Sequence, residues 1–156
     1  MQARVLIVDD DALYVRALKR SLERSELEVA TSATAAEARA AFDSFAAEVV
    51  VLDYQLPDAD GLALLAELRA RAPDAVFLLN TAYPSLDIAV EAMRRGAFDY
   101  VAKDAEHREV LMRVERAAEV ARLRRRAAEV VEARDARAGE LIGESPAMKR
   151  LRARLD

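Results

Sequence analysis

Short apolar runs alternate with longer amphipathic segments along the first 120 residues of the chain. Such runs are typical of parallel strands buried on both faces, and the segments between them are typical of the helices that cover a sheet. The predicted strands are residues 4–8, 27–30, 48–52, 76–80 and 100–102, and the predicted helices are residues 12–24, 35–45, 62–71, 86–95 and a fifth from about 106. The pattern predicts an α/β fold, a doubly wound (βα)5 sheet.

The fifth helix is predicted to continue beyond the globular repeat as a helical linker over residues 111–138. Residues 111–137 contain many alanines and no glycine or proline, which favours one long helix, and Gly139 is expected to end it. Small or apolar residues follow a nearly heptad spacing that Arg124 interrupts, at Val110, Val114, Ala117, Ala121, Ala128 and Val131. This spacing indicates a weak coiled coil, and the alternative is a single solvated helix.

Composition narrows the classes of protein that the chain can belong to. Its net charge of -4 argues against a nucleic-acid clamp, and the absence of cysteine excludes disulfides and thiolate metal sites. The apolar run at the N-terminus stops at Asp9, too soon for a signal peptide or a membrane span. We therefore expect a cytoplasmic protein that contacts neither membrane nor nucleic acid through these residues.

Polar residues follow four of the predicted strands. Asp9 and Asp10 follow the first strand, Asp53 the third, Thr81 the fourth and Lys103 the fifth. Each alone has an ordinary explanation as a helix cap, a turn residue or a surface lysine. Ligand sites of open doubly wound sheets lie beyond the carboxyl ends of the strands, so their joint placement predicts a functional site.

The chemistry of these side chains favours a metal and a phosphoryl group. Three carboxylates close together repel one another unless a cation enters, and Mg²⁺ suits them because it prefers oxygen ligands and commonly bridges carboxylates to phosphate. A carboxylate can also attack phosphorus and form an acyl phosphate. Asp53, with Lys103 and Thr81 to contact the transferred oxygens, has the chemistry for that reaction.

Four motifs resemble those of receiver domains of two-component response regulators. They are VLIVDDD at residues 5–11, VLDYQLPDADG at 51–61, NTA at 80–82 and GAFDYVAK at 96–103. The resemblance covers about residues 1–121, and we take 1–120 as the receiver domain. It implies a flavodoxin-like fold with five parallel strands in the order 2-1-3-4-5.

The resemblance also implies a role for each site residue. Asp53 would accept a phosphoryl group from a sensor histidine kinase, and Thr81 and Lys103 would contact the phosphoryl oxygens. Mg²⁺ would be held by Asp53 itself, by Asp9 and Asp10, and by the backbone carbonyl of Gln55. Tyr100 matches the family's switch aromatic, which turns inward when Thr81 moves toward the phosphoryl group and so provides the two-state element of a switch.

Asp104 departs from the family pattern, which usually has proline after the lysine, joined by a cis peptide. A cis bond before a residue other than proline costs about 2.5 to 4 kcal/mol, so the Lys103–Asp104 peptide is predicted to be trans. The added carboxylate is expected to lie close enough to pair with Lys103 in the unphosphorylated state.

The C-terminal segment resembles the entrance to the AAA+ ATPase domain of activators that work with sigma-54 RNA polymerase. The match covers about residues 141–156 and includes a GESPAM run, so residues 139–156 are interpreted as the start of that domain. The chain contains no Gly-x-x-x-x-Gly-Lys phosphate loop, so it is not expected to be an ATPase. The ATPase and a DNA-binding domain would lie outside this chain.

Two other functions compete with a phosphorylation switch. A phosphatase of the haloacid-dehalogenase type also uses an aspartyl nucleophile and Mg²⁺, but it needs a second aspartate where this chain has Gln55. A phosphorylation-independent dimerisation module is suggested only by Asp104. Whether or not phosphorylation controls it, a receiver with this sequence is expected to form a homodimer. The dimer would form through the linker helix, through the receiver's own surface, or through both.

Overall fold

A computed structural model describes residues 2–143 of the chain. These residues form five strands and five helices in strict alternation. The strands are β1 (Arg4–Val8), β2 (Glu28–Ser32), β3 (Val49–Asp53), β4 (Val76–Thr81) and β5 (Asp99–Ala102). The helices are α1 (Ala12–Arg24), α2 (Ala35–Phe45), α3 (Gly61–Arg71), α4 (Leu86–Arg94) and α5 (His107–Gly143). The chain divides after Arg122 into two compact units.

All five strands are parallel, in the order β2-β1-β3-β4-β5, which confirms the predicted topology. Four strands match the predicted bounds within about one residue at each end, whereas β2 begins one residue later and ends two residues later than predicted. This strand lies at the sheet edge, and only Ser32 of its five residues is buried. The apolar signal that marks a strand in the sequence is therefore weakest here.

Successive residues of the central strands face two separate cores. In β1, Leu6 and Val8 pack into the core on one face of the sheet, and Val5 and Ile7 pack into the core on the other. Side chains alternate between the faces of a strand, so burial on both faces requires the continuous apolar run seen in the sequence. The sheet is therefore covered by a core on each face.

Helices α1 to α4 each begin on a side chain that accepts a hydrogen bond from a backbone N–H of the first turn. The four N-cap residues are Asp11, Thr34, Asp60 and Ser85. Such caps satisfy the donors that the first turn of a helix leaves free. Because each cap follows a strand, the four caps set the paths of the loops at the carboxyl edge of the sheet.

Helix α5 ends later than predicted, and its regularly spaced apolar residues pack against a different partner from the one predicted. It continues through Gly139 to Gly143, since a glycine inside a helix costs only about 1 kcal/mol and does not break it. Val110, Val114, Ala117 and Ala121 are buried in the core of the first unit. The predicted coiled-coil seam is therefore wrong for these four residues, because the same spacing serves to pack the helix onto the sheet.

The predicted start of an AAA+ domain falls mainly on residues 144–156, outside the described residues. Within residues 2–143, no helix combines the length and the apolar character that a membrane crossing requires.

Candidate functional site

The predicted site residues meet at one edge of the sheet. Asp53 and Thr81 end β3 and β4, and Asp9 and Lys103 directly follow β1 and β5. Parallel strands bring these positions to the same carboxyl edge. A cavity of about 340 Å³ lies there, and the predicted residues that line it are Asp10, Asp53, Gln55, Thr81 and Lys103.

Three carboxylates form the acidic part of the site. One oxygen from each of Asp9, Asp10 and Asp53 lies within 4.8 Å of the other two. Asp9 and Asp53 are buried and Asp10 is exposed. A set of carboxylate oxygens open to solvent on one side fits a hard divalent cation that keeps some of its water, as Mg²⁺ does.

Lys103 supplies positive charge to the buried carboxylates. Its Nζ lies 2.6 Å from Oδ2 of Asp9 and 3.1 Å from Oδ2 of Asp53. Burial alone would lower the pKa of Lys103, but the hydrogen bonds and charges of the two carboxylates outweigh it and raise the pKa above its usual value. The lysine therefore stays charged at neutral pH and donates to both acids.

The carboxyl group of Asp53 is less acidic than an ordinary aspartate. Burial raises its pKa, and the nearby charge of Asp9 raises it further. Lys103 and the backbone N–H of Gln55, which donates to Oδ1 of Asp53 at 3.4 Å, act in the opposite direction without cancelling the shift. Added positive charge at this site would favour the ionised, nucleophilic form of Asp53.

Thr81 and Tyr100 are joined to the loop that leads from β4 to α4. Oγ1 of Thr81 accepts a hydrogen bond of 3.2 Å from the backbone N–H of Tyr83. The Tyr100 hydroxyl oxygen accepts one of 2.9 Å from the backbone N–H of Ser85, the N-cap of α4. Tyr100 is half-buried and does not line the acidic cavity. Both side chains thus contact the same short loop.

The geometry around Asp104 only partly matches its prediction. The Lys103–Asp104 peptide is trans, as predicted. Asp104 is exposed, and within residues 2–143 the Lys103 ammonium forms its ion pairs with Asp9 and Asp53. The expected pairing with Asp104 is therefore wrong. The two buried carboxylates hold the ammonium more strongly because water screens them less.

Asp58 in the β3–α3 loop and Gly61, the first residue of α3, shape the backbone beside the site, although the sequence indicated both only as turn residues. A Cβ on Gly61 would lie 2.1 Å from the backbone carbonyl oxygen of Asp53, so only glycine allows α3 to start so close to Asp53. The Asp58 carboxylate accepts hydrogen bonds from the backbone N–H groups of Ala35 and Ala36, at 2.8 and 3.1 Å. These bonds lower the pKa of Asp58 and tie the loop to α2.

Tyr14 and Asn80 also border the site and were not predicted to do so. The Asn80 side-chain amide donates a hydrogen bond to the Tyr14 hydroxyl, and Lys103 Nζ lies 5.0 Å from the centre of the Tyr14 ring. In the sequence, Tyr14 is one residue of an amphipathic helix and Asn80 ends an apolar run. Asn80 belongs to the NTA motif at residues 80–82, but that motif gave a role only to Thr81, and no local pattern marks Tyr14 as part of the site.

Known proteins resemble this chain in sequence. The sequence model of the response regulator receiver domain matches residues 5–115. The C4-dicarboxylate transport transcriptional regulatory protein DctD of Rhizobium meliloti is 34% identical over 157 aligned positions, which cover 97% of this chain and 33% of that protein. The DNA-binding transcriptional regulator NtrC of Escherichia coli is 38% identical over 113 positions, which cover 72% of this chain and 24% of that protein. The chain thus spans a third or less of the length of these relatives.

A solved structure agrees with these matches. The receiver domain of NtrX from Brucella abortus is 32% identical, with a TM-score of 0.70 over 74% of this chain and 98% of that one. The family match covers well over half of the chain and includes every strand that contributes to the acidic site. This chain therefore belongs to the response regulator receiver domain family.

Proposed function

We propose that the chain is the phosphorylation switch of a two-component response regulator and that Asp53 accepts the phosphoryl group from a sensor histidine kinase. The placement of Asp53 supports this most directly: it is a buried carboxylate that contacts the Lys103 ammonium and lies close to two further carboxylates. In the reaction, an Asp53 oxygen forms a bond to phosphorus while the P–N bond of the kinase phosphohistidine breaks. The imidazole nitrogen leaves with the electron pair of that bond.

Each neighbouring residue has a defined task in the transfer. Asp9, Asp10, Asp53 and the Gln55 backbone carbonyl would hold Mg²⁺, which neutralises charge on the phosphoryl oxygens when bound. Lys103 would exchange its contact with Asp53 for one with a phosphoryl oxygen. The Thr81 hydroxyl would donate to another.

The switch follows from the contacts of Thr81 and Tyr100 with a single loop. Moving the Thr81 hydroxyl toward a phosphoryl oxygen breaks its bond with the Tyr83 N–H. The loop then shifts, and Tyr100 loses its contact with Ser85 at the start of α4. Phosphorylation at Asp53 would thereby change the surface formed by α4 and β5.

The output of the switch is proposed from resemblance. Residues 141–156 resemble the entrance to the AAA+ domain of sigma-54-dependent activators, and the relatives named above are transcriptional regulators. We expect the receiver to control such an attached ATPase in the cytoplasm. DNA contacts would be made by a separate DNA-binding domain.

Phosphorylation by a small phosphodonor such as acetyl phosphate tests the proposal directly. In the presence of Mg²⁺ the chain should gain one phosphoryl group, located at Asp53 by mass spectrometry. The alternative, a phosphorylation-independent dimerisation module, was suggested only by Asp104. Asp104 is exposed and leaves the Lys103–Asp53 pair intact. A chain with that alternative function would gain no phosphoryl group.

Asp10→Asn should weaken Mg²⁺ binding by at least tenfold and slow phosphorylation. Asp10 is the exposed member of the three-carboxylate cluster, so its loss removes a metal ligand without opening the core. The metal-free protein should keep or gain stability, because repulsion within the cluster decreases. Titration of Mg²⁺ by calorimetry measures the affinity. Asp104→Asn is the matched control and should leave it unchanged, and an unchanged affinity in Asp10→Asn would place the metal elsewhere.

Val130→Glu should turn a dimer of the chain into a monomer. The second unit exposes Leu123, Ala127 and Val130 at the 4-3 spacing of a coiled coil, and the exposed fractions of Leu123 and Val130 are 56% and 53%. The first part of the predicted seam packs into the receiver core, whereas its remaining residues, Ala128 and Val131, stay a prediction. A glutamate at position 130 of two paired helices would place like charges together.

Light scattering after size exclusion gives the molar mass of each protein in solution. The measurement is made with and without Mg²⁺ and beryllofluoride. Ala136→Glu adds the same charge about 120° around the helix from position 130, away from the face of Leu123, Ala127 and Val130, and should stay dimeric. A Val130→Glu protein that remains dimeric at micromolar concentration would move the interface onto the receiver surface.

A further inference from the structure

The ring of Tyr14 lies against the ammonium group of Lys103. Lys103 Nζ is 5.0 Å from the ring centre, within the distance of about 6 Å over which an aromatic face attracts a cation. Tyr14 comes from the first turns of α1 and Lys103 from the residue after β5, so the contact joins two elements that are distant in sequence.

Asn80 holds the Tyr14 ring from the sheet side. Its side-chain amide donates a hydrogen bond to the Tyr14 hydroxyl. Asn80 lies on β4, beside Asp53 of β3 in the strand register, and is only 1% exposed. Burial is the main cause that raises the pKa of Tyr14, so the hydroxyl stays protonated and neutral at physiological pH. The ring is therefore fixed relative to the strand that carries the phosphoryl acceptor.

The three contacts of the Lys103 ammonium respond differently to metal. Two of its partners, Asp9 and Asp53, belong to the acidic cluster and would turn their oxygens toward a bound cation. The ring of Tyr14 is not a metal ligand, so its contact does not compete with the metal. A lysine side chain has four rotatable bonds and loses much freedom when it is held in one position.

We propose that Tyr14 is a positioning residue, which holds the Lys103 ammonium at the phosphoryl site through its ring face while Asn80 fixes the ring. The proposal rests on the proposed function, because it assigns Tyr14 to the same transfer reaction. The ring acts on Lys103 and the hydroxyl serves only to orient the ring. A purely structural role is the competing explanation, since Tyr14 also packs against the core between α1 and the sheet.

A double-mutant cycle separates the two roles. Tyr14→Leu should slow phosphorylation by a small phosphodonor in saturating Mg²⁺ about three- to thirty-fold. Tyr14→Phe keeps the ring and should lose less than about threefold. In a Lys103→Met background, Tyr14→Leu should produce no further slowing. Equal slowing with and without Lys103, or no slowing at all, would overturn the proposal.

Fluorinated phenylalanines in place of Tyr14 provide a test that does not depend on Tyr14→Leu folding. Fluorine withdraws electrons from the ring face and nearly preserves the ring shape. The rate of phosphorylation should therefore fall stepwise as fluorines are added to the ring. A flat series would show that the ring only fills space. Leu22→Ala is the fold control: it destabilises the same helix away from Lys103 and should keep the parental rate.

The parent protein distinguishes failure of this proposal from failure of the proposed function. A parent that gains no phosphoryl group at Asp53 contradicts both. A parent that is labelled normally, beside a Tyr14→Leu variant labelled at the same rate, contradicts only the positioning role of Tyr14.

Discussion

Asp53→Ala should abolish phosphorylation, with labelling by a small phosphodonor reduced at least about a hundredfold. The phosphoryl group needs a nucleophile that is close both to the metal ligands and to Lys103, and the Asp53 carboxylate meets both requirements. Asp9 and Asp10 would still hold metal, but neither would occupy the acceptor position at the end of β3. Intact-mass spectrometry in the presence of Mg²⁺ gives the fraction phosphorylated, and peptide mapping gives the residue.

Asp11→Ser is the matched control for this measurement. Asp11 also lines the cavity, but its carboxylate accepts a hydrogen bond from the backbone N–H of Tyr14 and caps α1. Serine is an equally good N-cap, so the fold is kept while one carboxylate is removed. The control should be labelled like the parent. Undiminished labelling of Asp53→Ala would show that another carboxylate accepts the phosphoryl group.

The fold was predictable because its central strands are buried on both faces. A central strand such as β3 (Val49–Asp53) has to be apolar throughout, and that run is visible without any knowledge of its neighbours. The end of such a run also locates the site, since the first polar residues after it lie at the carboxyl edge. Strand β2 (Glu28–Ser32) has one buried residue, and its bounds were predicted less well for that reason.

Contacts that depend on packing between distant elements were not predictable. Tyr14 and Asn80 are 66 positions apart, and they meet only because the fold brings the first turns of α1 close to the end of β4. Neither residue changes the local pattern of its segment. Val114 posed a different problem: one helical spacing fits both a coiled-coil partner and a sheet, and only the packed structure decides between them.

Lys103→Met should destabilise the metal-free protein by about 3 to 5 kcal/mol at neutral pH, the usual cost of removing one partner of a buried ion pair. The side chain of Lys103 is 12% exposed and contacts two carboxylates, of Asp9 and Asp53, that are less exposed still. Methionine keeps much of the length and loses the charge. The two acids would then repel each other with no ammonium between them.

Mg²⁺ should restore much of the stability that Lys103→Met loses, because the cation neutralises the same carboxylates. The free energy of unfolding, measured in urea with chelator and with Mg²⁺, should therefore respond to Mg²⁺ more strongly in the variant than in the parent. Phosphorylation should nevertheless remain slow, since the metal does not replace the contact of the ammonium with a phosphoryl oxygen.

The loss of stability should also depend on pH. The pKa of Asp53 is already raised by burial and by Asp9, and removing Lys103 raises it further because the ammonium lowers it. An acid with a raised pKa in the folded state binds its proton more tightly there, so it favours folding at low pH and loses that effect as pH rises through the folded-state pKa. The deficit of Lys103→Met should shrink as pH falls toward the ordinary aspartate range near about 4.

Lys19→Met is the control for removing a lysine. Lys19 is half-exposed on α1 and pairs only with Glu23 on the same helix among its described contacts, so its loss should cost less than about 0.5 kcal/mol at any pH and should not respond to Mg²⁺. If Lys103→Met unfolded at the parental urea concentration with chelator present, the two carboxylates would not need the ammonium. The proposed sharing of Lys103 between the resting cluster and the phosphoryl group would then be wrong.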